Sequence, residues 1–300
     1  MKILFPTDLT VPLEAAIDQI AAILPLAEQN VHLLYVNEAW PAYENVLGLS
    51  GEFADDWRNK LEKEATAKLL EAEKLLQARG AVVSKEIVSG PPAMMIETVA
   101  RDEHCQLTVM MPGKHPLVDQ MLLGSVSGKV VKHGPGTILI DRPKNNYPKE
   151  LKNVLIGIDG SANAKEAIMT AVDTFQLERR NPQILLFHAV DLADPIKFVS
   201  PVEFISRVEQ NLLLEGETYL ADAKKLLADL GLKKVEFAIK QGKPAHELVE
   251  TAKAMPADLI IVGAEGRTAV QHFLLGSVSH RIAMQAPCAV AIVKREHRPS

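Results

Sequence analysis

A duplication constrains this sequence more than any other feature. The opening Lys2-Ile-Leu-Phe-Pro-Thr-Asp8-Leu-Thr10 aligns with Asn153-Val-Leu-Ile-Gly-Ile-Asp159-Gly-Ser161 at an offset of 151 residues. Farther along, Gly90-Pro-Pro92-Ala93 aligns with Gly242-Lys-Pro244-Ala245, and Gly124-Ser-Val-Ser127 with Gly276-Ser-Val-Ser279, both at 152. Pro135 and Ile140 keep that spacing from Pro287 and Ile292. Ordered matches at a nearly constant offset across a whole half mark a repeated structural unit. Half of a 300-residue chain is long enough to bury its own core. The stretch Asp141-Arg-Pro-Lys-Asn-Asn-Tyr-Pro-Lys-Glu150 is polar and carries two prolines, which makes it a linker. Two domains are expected, over residues 1–143 and 151–296.

Each half alternates short apolar runs with longer stretches of helical period. In the second half the runs are Val154–Ile158, Ile184–Val190, Val235–Lys240, Leu259–Val262 and Ala289–Val293. Between them Ala162–Leu177, Ile205–Leu230, Ala245–Ala254 and Ser277–Ala286 place apolar residues three and four apart, as helices do. The first half repeats the order at Ile3–Phe5, Val31–Val36, Val82–Val88, Leu107–Met111 and Thr137–Ile140, with a charged helix over Lys60–Arg79. Near-continuous apolar strands separated by helices imply a parallel sheet covered on both faces. The predicted fold is α/β: two tandem doubly wound domains, each with a five-stranded parallel sheet. Ligands of such sheets bind beyond the carboxyl ends of the strands, where the strand order reverses.

The strongest chemical signal falls at such a strand end. Leu259–Val262 leads into Gly263-Ala-Glu-Gly266, and Gly276-Ser277 follows at the start of a helix, a G-x2-G-x9-G-S spacing. Gly263 lets a phosphate approach the backbone, and Gly266 suits a turn with positive φ. Gly276 and Ser277 stand where free N–H groups and the helix dipole attract an anion. The Ser277 hydroxyl suits either a helix cap or a phosphate oxygen. Glycines at strand ends also serve simply to shape turns, so the pattern gains weight only from its context.

That context excludes several classes. Residues 1–150 carry 15 Lys+Arg against 20 Asp+Glu, and residues 151–300 carry 18 against 18, so neither half has the basic excess of a nucleic-acid binder. Apolar stretches are interrupted before reaching the length of a membrane span, and the chain opens directly on a strand. Two cysteines, Cys105 and Cys288, cannot build a disulfide framework, which points to a cytoplasmic protein. There is no GxxxxGK[ST] loop and no G-x-S-x-G elbow, and no catalytic residue is assigned. No metal ligand is assigned either: His104, Cys105, His115 and His133 lack the spacing of a helix-face metal pair.

The G-x2-G-x9-G-S loop, the strand ending Ile156-Gly-Ile-Asp159-Gly-Ser161 and the strand ending Leu186-Phe-His188-Ala189-Val190 together resemble the universal stress protein family. The resemblance covers the chain twice, as in tandem-type members. It implies ATP as ligand, alone or with Mg or Mn, held by Asp159, Ala189, Gly263, Gly266, Gly276, Ser277 and Val278. It also implies a regulatory or sensor role in stress response, with at most slow ATPase turnover. Single-domain members pair, so the resemblance implies an intramolecular pseudo-dimer here, with a homo-dimer as a further option. Two other classes stay open: a carrier or scaffold for a different phosphorylated or apolar ligand held by the first domain, and a slow nucleotide hydrolase.

The first half departs from the pattern. Asp8, Val36 and Gly124-Ser125 remain, but Met111 stands where the second half has Gly263, and Lys114 replaces Gly266. A methionine side chain occupies space that phosphates need, so this copy reads as a scaffold, or as a site where Lys114 with Lys129 binds another anion. Both tryptophans fall in the apolar stretch Ala39–Trp57, a lid suited to packing or to a hydrophobic ligand. His188 ends a strand and reads as a satisfied core histidine.

Overall fold

The computed structural model describes residues 1–9, 13–38, 52–111, 123–141, 150–192, 201–266 and 275–294. The chain divides into two compact units, Met1–Tyr147 and Pro148–Ser300.

The first unit runs β1 (Lys2–Thr7), α1 (Leu13–Ile23), β2 (Asn30–Asn37), α2 (Glu52–Gln77), β3 (Val82–Ser89), α3 (Pro92–Asp102), β4 (Leu107–Met110), α4 (Ser125–His133) and β5 (Thr137–Ile140). Its strands order as β3-β2-β1-β4-β5, all parallel. The second unit runs β6 (Asn153–Gly157), α5 (Ala162–Phe175), α6 (Leu177–Arg180), β7 (Gln183–Val190), α7 (Val202–Asp229), β8 (Val235–Gln241), α8 (Pro244–Ala254), β9 (Leu259–Gly263), α9 (Ser277–Gln285) and β10 (Ala289–Val293). Its order is β8-β7-β6-β9-β10, again all parallel.

Each sheet winds outward from its first strand in one direction, then returns to build the other way. Because parallel crossovers are right-handed, the reversal puts the helices on opposite faces. In the second unit α5 and α7 cover one face and α8 and α9 the other; α5 packs on β9 and β10, α7 on β7 and β8, and α8 on β7. The inner strands are therefore largely buried, as in Leu259–Val262 and Val154–Ile156, whereas β3 and β8 lie at edges and are mostly exposed or half-buried. The expected fold class is the observed one.

Some element ends differ from the periodicity. The predicted helix over Ala162–Leu177 breaks at Gln176, which adopts φ +48° and separates α5 from α6. The charged helix starts at Glu52 rather than Lys60, so the end of the proposed lid is helical. Residues 39–51 of that stretch, with Trp40 and Tyr43, lie outside the described residues, as do Lys114 and His115.

Candidate functional site

The second unit reverses its strand order between β6 and β9, and the loops leaving these two strands flank a cavity of about 450 Å³. That volume lies in the range ligand pockets occupy. Asp159, Ala189, Gly263, Gly266, Gly276, Ser277 and Val278 all line it. Four separate chain segments thus bring the seven residues singled out in the sequence to one place. They converge because parallel strands deliver their carboxyl ends to the same edge of the sheet.

Helix α9 contributes its first turn. Gly276 is its N-cap, and no side chain caps it. The first intrahelical bond runs from His280 N–H to the Gly276 carbonyl at 3.0 Å, so the N–H groups of Ser277, Val278 and Ser279 have no intrahelical acceptor. The capping role expected of Ser277 is not seen: the residue sits at N1, one place too late to cap, and is exposed. The residue that secures this end is Ser279, whose buried hydroxyl donates to the Gly263 carbonyl at 2.6 Å. Gly276 N–H donates to the Ala264 carbonyl at 2.7 Å, a second tie between α9 and the loop after β9.

The glycines act through space rather than backbone freedom. None of Gly263, Gly266 and Gly276 has a positive φ, which corrects the turn expected at Gly266. A Cβ at 266 would stand 3.0 Å from the Asp159 Oδ2, and one at 276 would stand 3.2 Å from the Ala264 carbonyl oxygen. Both are tighter than ordinary contact. The positive φ belongs instead to Gly160, at +77°, directly after Asp159.

Asp159 is held by its neighbour. Its Oδ1 accepts from Ser161 N–H at 3.0 Å and from the Ser161 hydroxyl at 2.7 Å. The Ser161 oxygen in turn accepts from Ala164 N–H at 3.2 Å, capping α5. One serine thus fixes both the carboxylate and the start of the helix behind it. His188 is half-buried and lines the cavity; its Nδ1–H donates to the Ile158 carbonyl at 2.6 Å, which satisfies one ring nitrogen as expected. Sequence reasoning missed Ser161 and Ser279, though Ser161 followed the Asx-turn and N-cap pattern that would have revealed it.

The corresponding place in the first unit is built differently. Gly124 is the N-cap of α4, and nothing lies within 4 Å of a Cβ placed there. Met111 is half-buried at the end of β4. Among the described residues, no three His, Cys, Asp or Glu side chains gather as a metal site would require, and no helix is long and apolar enough to cross a membrane.

The model of the universal stress protein family matches residues 1–142 and again 150–294. The chain belongs to the universal stress protein family. Among relatives, a universal stress protein of Methanocaldococcus jannaschii is 32% identical over 145 residues, covering 48% of this chain and 82% of that protein. A universal stress protein of Bacillus subtilis is 31% identical over 145 residues, covering 47% of this chain and 97% of its own. Each single relative therefore accounts for one repeat of a tandem universal stress protein. Among solved structures, a universal stress protein from Archaeoglobus fulgidus DSM 4304 aligns with TM-score 0.68 over 99% of this chain and 97% of that chain. At 19% identity, that likeness is one of fold.

Proposed function

We propose that the second unit binds an adenine nucleotide, ATP, and that its occupancy serves a sensing or regulatory role rather than metabolic turnover. The observation that carries this reading is the convergence of three strand ends and the uncapped first turn of α9 on one cavity. Backbone N–H groups at a helix start favour a phosphate oxygen by both hydrogen bonding and dipole. The glycines at 266 and 276 leave the room beside Asp159 and Ala264 that any side chain would take. In this reading Gly263, Gly266, Gly276, Ser277 and Val278 hold the phosphates, while Asp159 and Ala189 border the nucleoside. A Mg or Mn ion arriving with the phosphates would draw on Asp159 and Glu265, the two carboxylates of the lining. Isothermal titration of the full chain with ATP is the test. Saturable binding that Gly276→Val abolishes supports the assignment; no saturable binding, or binding indifferent to that substitution in a folded protein, overturns it.

A further inference from the structure

Asp159 has two chain neighbours, and each is held by a different member of one aromatic pair. On one side, His188 Nδ1–H donates to the Ile158 carbonyl at 2.6 Å, tying the end of β7 to the end of β6. On the other side, Gly160 lies against Tyr219 of α7: a Cβ at 160 would stand 2.4 Å from the Tyr219 ring. The two rings meet edge to face, with centroids 5.8 Å apart and planes at 71°. The Tyr219 hydroxyl donates to Glu215 Oε2 at 3.1 Å, one turn back along α7. Space for the histidine is made by Gly216, where a Cβ would stand 2.6 Å from His188 Cδ2. A glycine inside a helix is destabilising relative to alanine, so its presence at the middle of α7 needs a reason. The ring of His188 supplies one.

The first unit shows the same place without this arrangement. Leu69, Ala72 and Leu76 of α2 are buried as Leu220, Ala223 and Leu227 of α7 are, which sets the two helices in register at an offset of 151. In that register Ala65 stands for Gly216 and Lys68 for Tyr219, while the strand register puts Tyr35 at the place of His188. Leu9, in the position of Gly160, keeps a positive φ of 60°, and Lys68 Nζ donates to its carbonyl at 3.1 Å. The turn after the first strand survives in both units, but glycine, histidine and tyrosine occur together only beside the intact glycine loop.

We infer that His188 and Tyr219 are positioning residues for ligand binding: together they hold Ile158 and Gly160, and so set where the Asp159 carboxylate stands in the cavity wall. This rests on the nucleotide reading above. Gly216→Ala tests it from the face of α7 that meets His188, without altering any residue that lines the cavity. The substitution favours helix formation, yet its methyl displaces the His188 ring. Expected is a cooperative apo melting transition, which shows that the variant folds, together with ATP affinity at least tenfold weaker by isothermal titration. His188→Asn retains an N–H donor on a smaller side chain. The double variant Gly216→Ala/His188→Asn should therefore bind within about threefold of the single His188→Asn variant. His188→Leu, which has no donor, should weaken binding tenfold or more and serves if Gly216→Ala does not fold. ATP binding of original strength by folded Gly216→Ala or folded His188→Leu would overturn the inference and leave the nucleotide site standing. Absence of ATP binding by the unaltered protein would instead overturn the reading beneath it.

Discussion

Gly276 can be replaced only at the expense of the space it guards. A valine there brings its Cβ to 3.2 Å from the Ala264 carbonyl and puts two methyl groups at the first turn of α9. ATP binding should be lost while the far-ultraviolet circular dichroism of the fold is kept. Ser277→Ala removes one hydroxyl from an exposed N1 position and should weaken binding by about 0.5–1.5 kcal/mol, readable as a several-fold rise in Kd. Thr108, in β4, is a different case: its hydroxyl is buried with no hydrogen-bond partner among the described residues, and the equivalent residue of the second unit is Ile260. Thr108→Val should therefore stabilise the first unit by about 1 kcal/mol, raising its thermal midpoint by a few degrees in calorimetry. Burial pushes the Cys105 thiol up to about 11, against which the nearby Lys2 charge works only partly. The folded state thus holds this proton more tightly than the unfolded chain. The sign follows: the stabilisation is present in full below pH 9, and it is lost as pH rises toward 11. Denaturant midpoints across that window should fall less steeply in Cys105→Ala than in the original protein.

At the scale of elements, strands were the most legible part because period and composition decide them alone. Buried parallel strands such as Leu259–Val262 announce themselves as unbroken apolar runs. Helix ends were less legible, since the break at Gln176 rests on a left-handed backbone conformation that no residue pattern demanded. Gly263, Gly266, Gly276 and Ser277 could be read from their spacing between a strand end and a helix start, whereas Asp159, Ala189 and Val278 came with the resemblance to the family. The His188–Tyr219 pair could not, because it joins a strand to a helix face across the whole intervening segment, and the rotation of α7 decides which residue meets the ring. Gly216 was the available signal, a glycine inside an otherwise strong helix. The element that bears Asp159 also bears on turnover. One oxygen of the carboxylate accepts two hydrogen bonds from Ser161, which fixes its position, and no residue legible as a dedicated general base stands out in the sequence. Phosphate release from ATP should run far below the roughly 10 s⁻¹ of a typical enzyme. Rapid steady-state release, lost in Asp159→Ala, would place the protein among hydrolases.

At the scale of the whole molecule, one duplication has produced two units with the same topology and different sites. Both keep the aspartate after the first strand, the turn that follows it and a glycine at the start of the last helix. The differences cluster where a nucleotide would lie: Met111 for Gly263, Leu9 for Gly160, and Tyr35 for His188. Burial, with a smaller contribution from the Asp8 charge, pushes the Tyr35 phenol above its ordinary range. Ligand binding is thus expected to be asymmetric. Isothermal titration of the full chain with ATP, run in parallel on Gly276→Val and Gly124→Val, tests it most directly. The expected stoichiometry is near one ATP per chain, abolished by Gly276→Val and unchanged by Gly124→Val. Two equivalent sites per chain, or loss of binding in Gly124→Val with Gly276→Val unaffected, would contradict it.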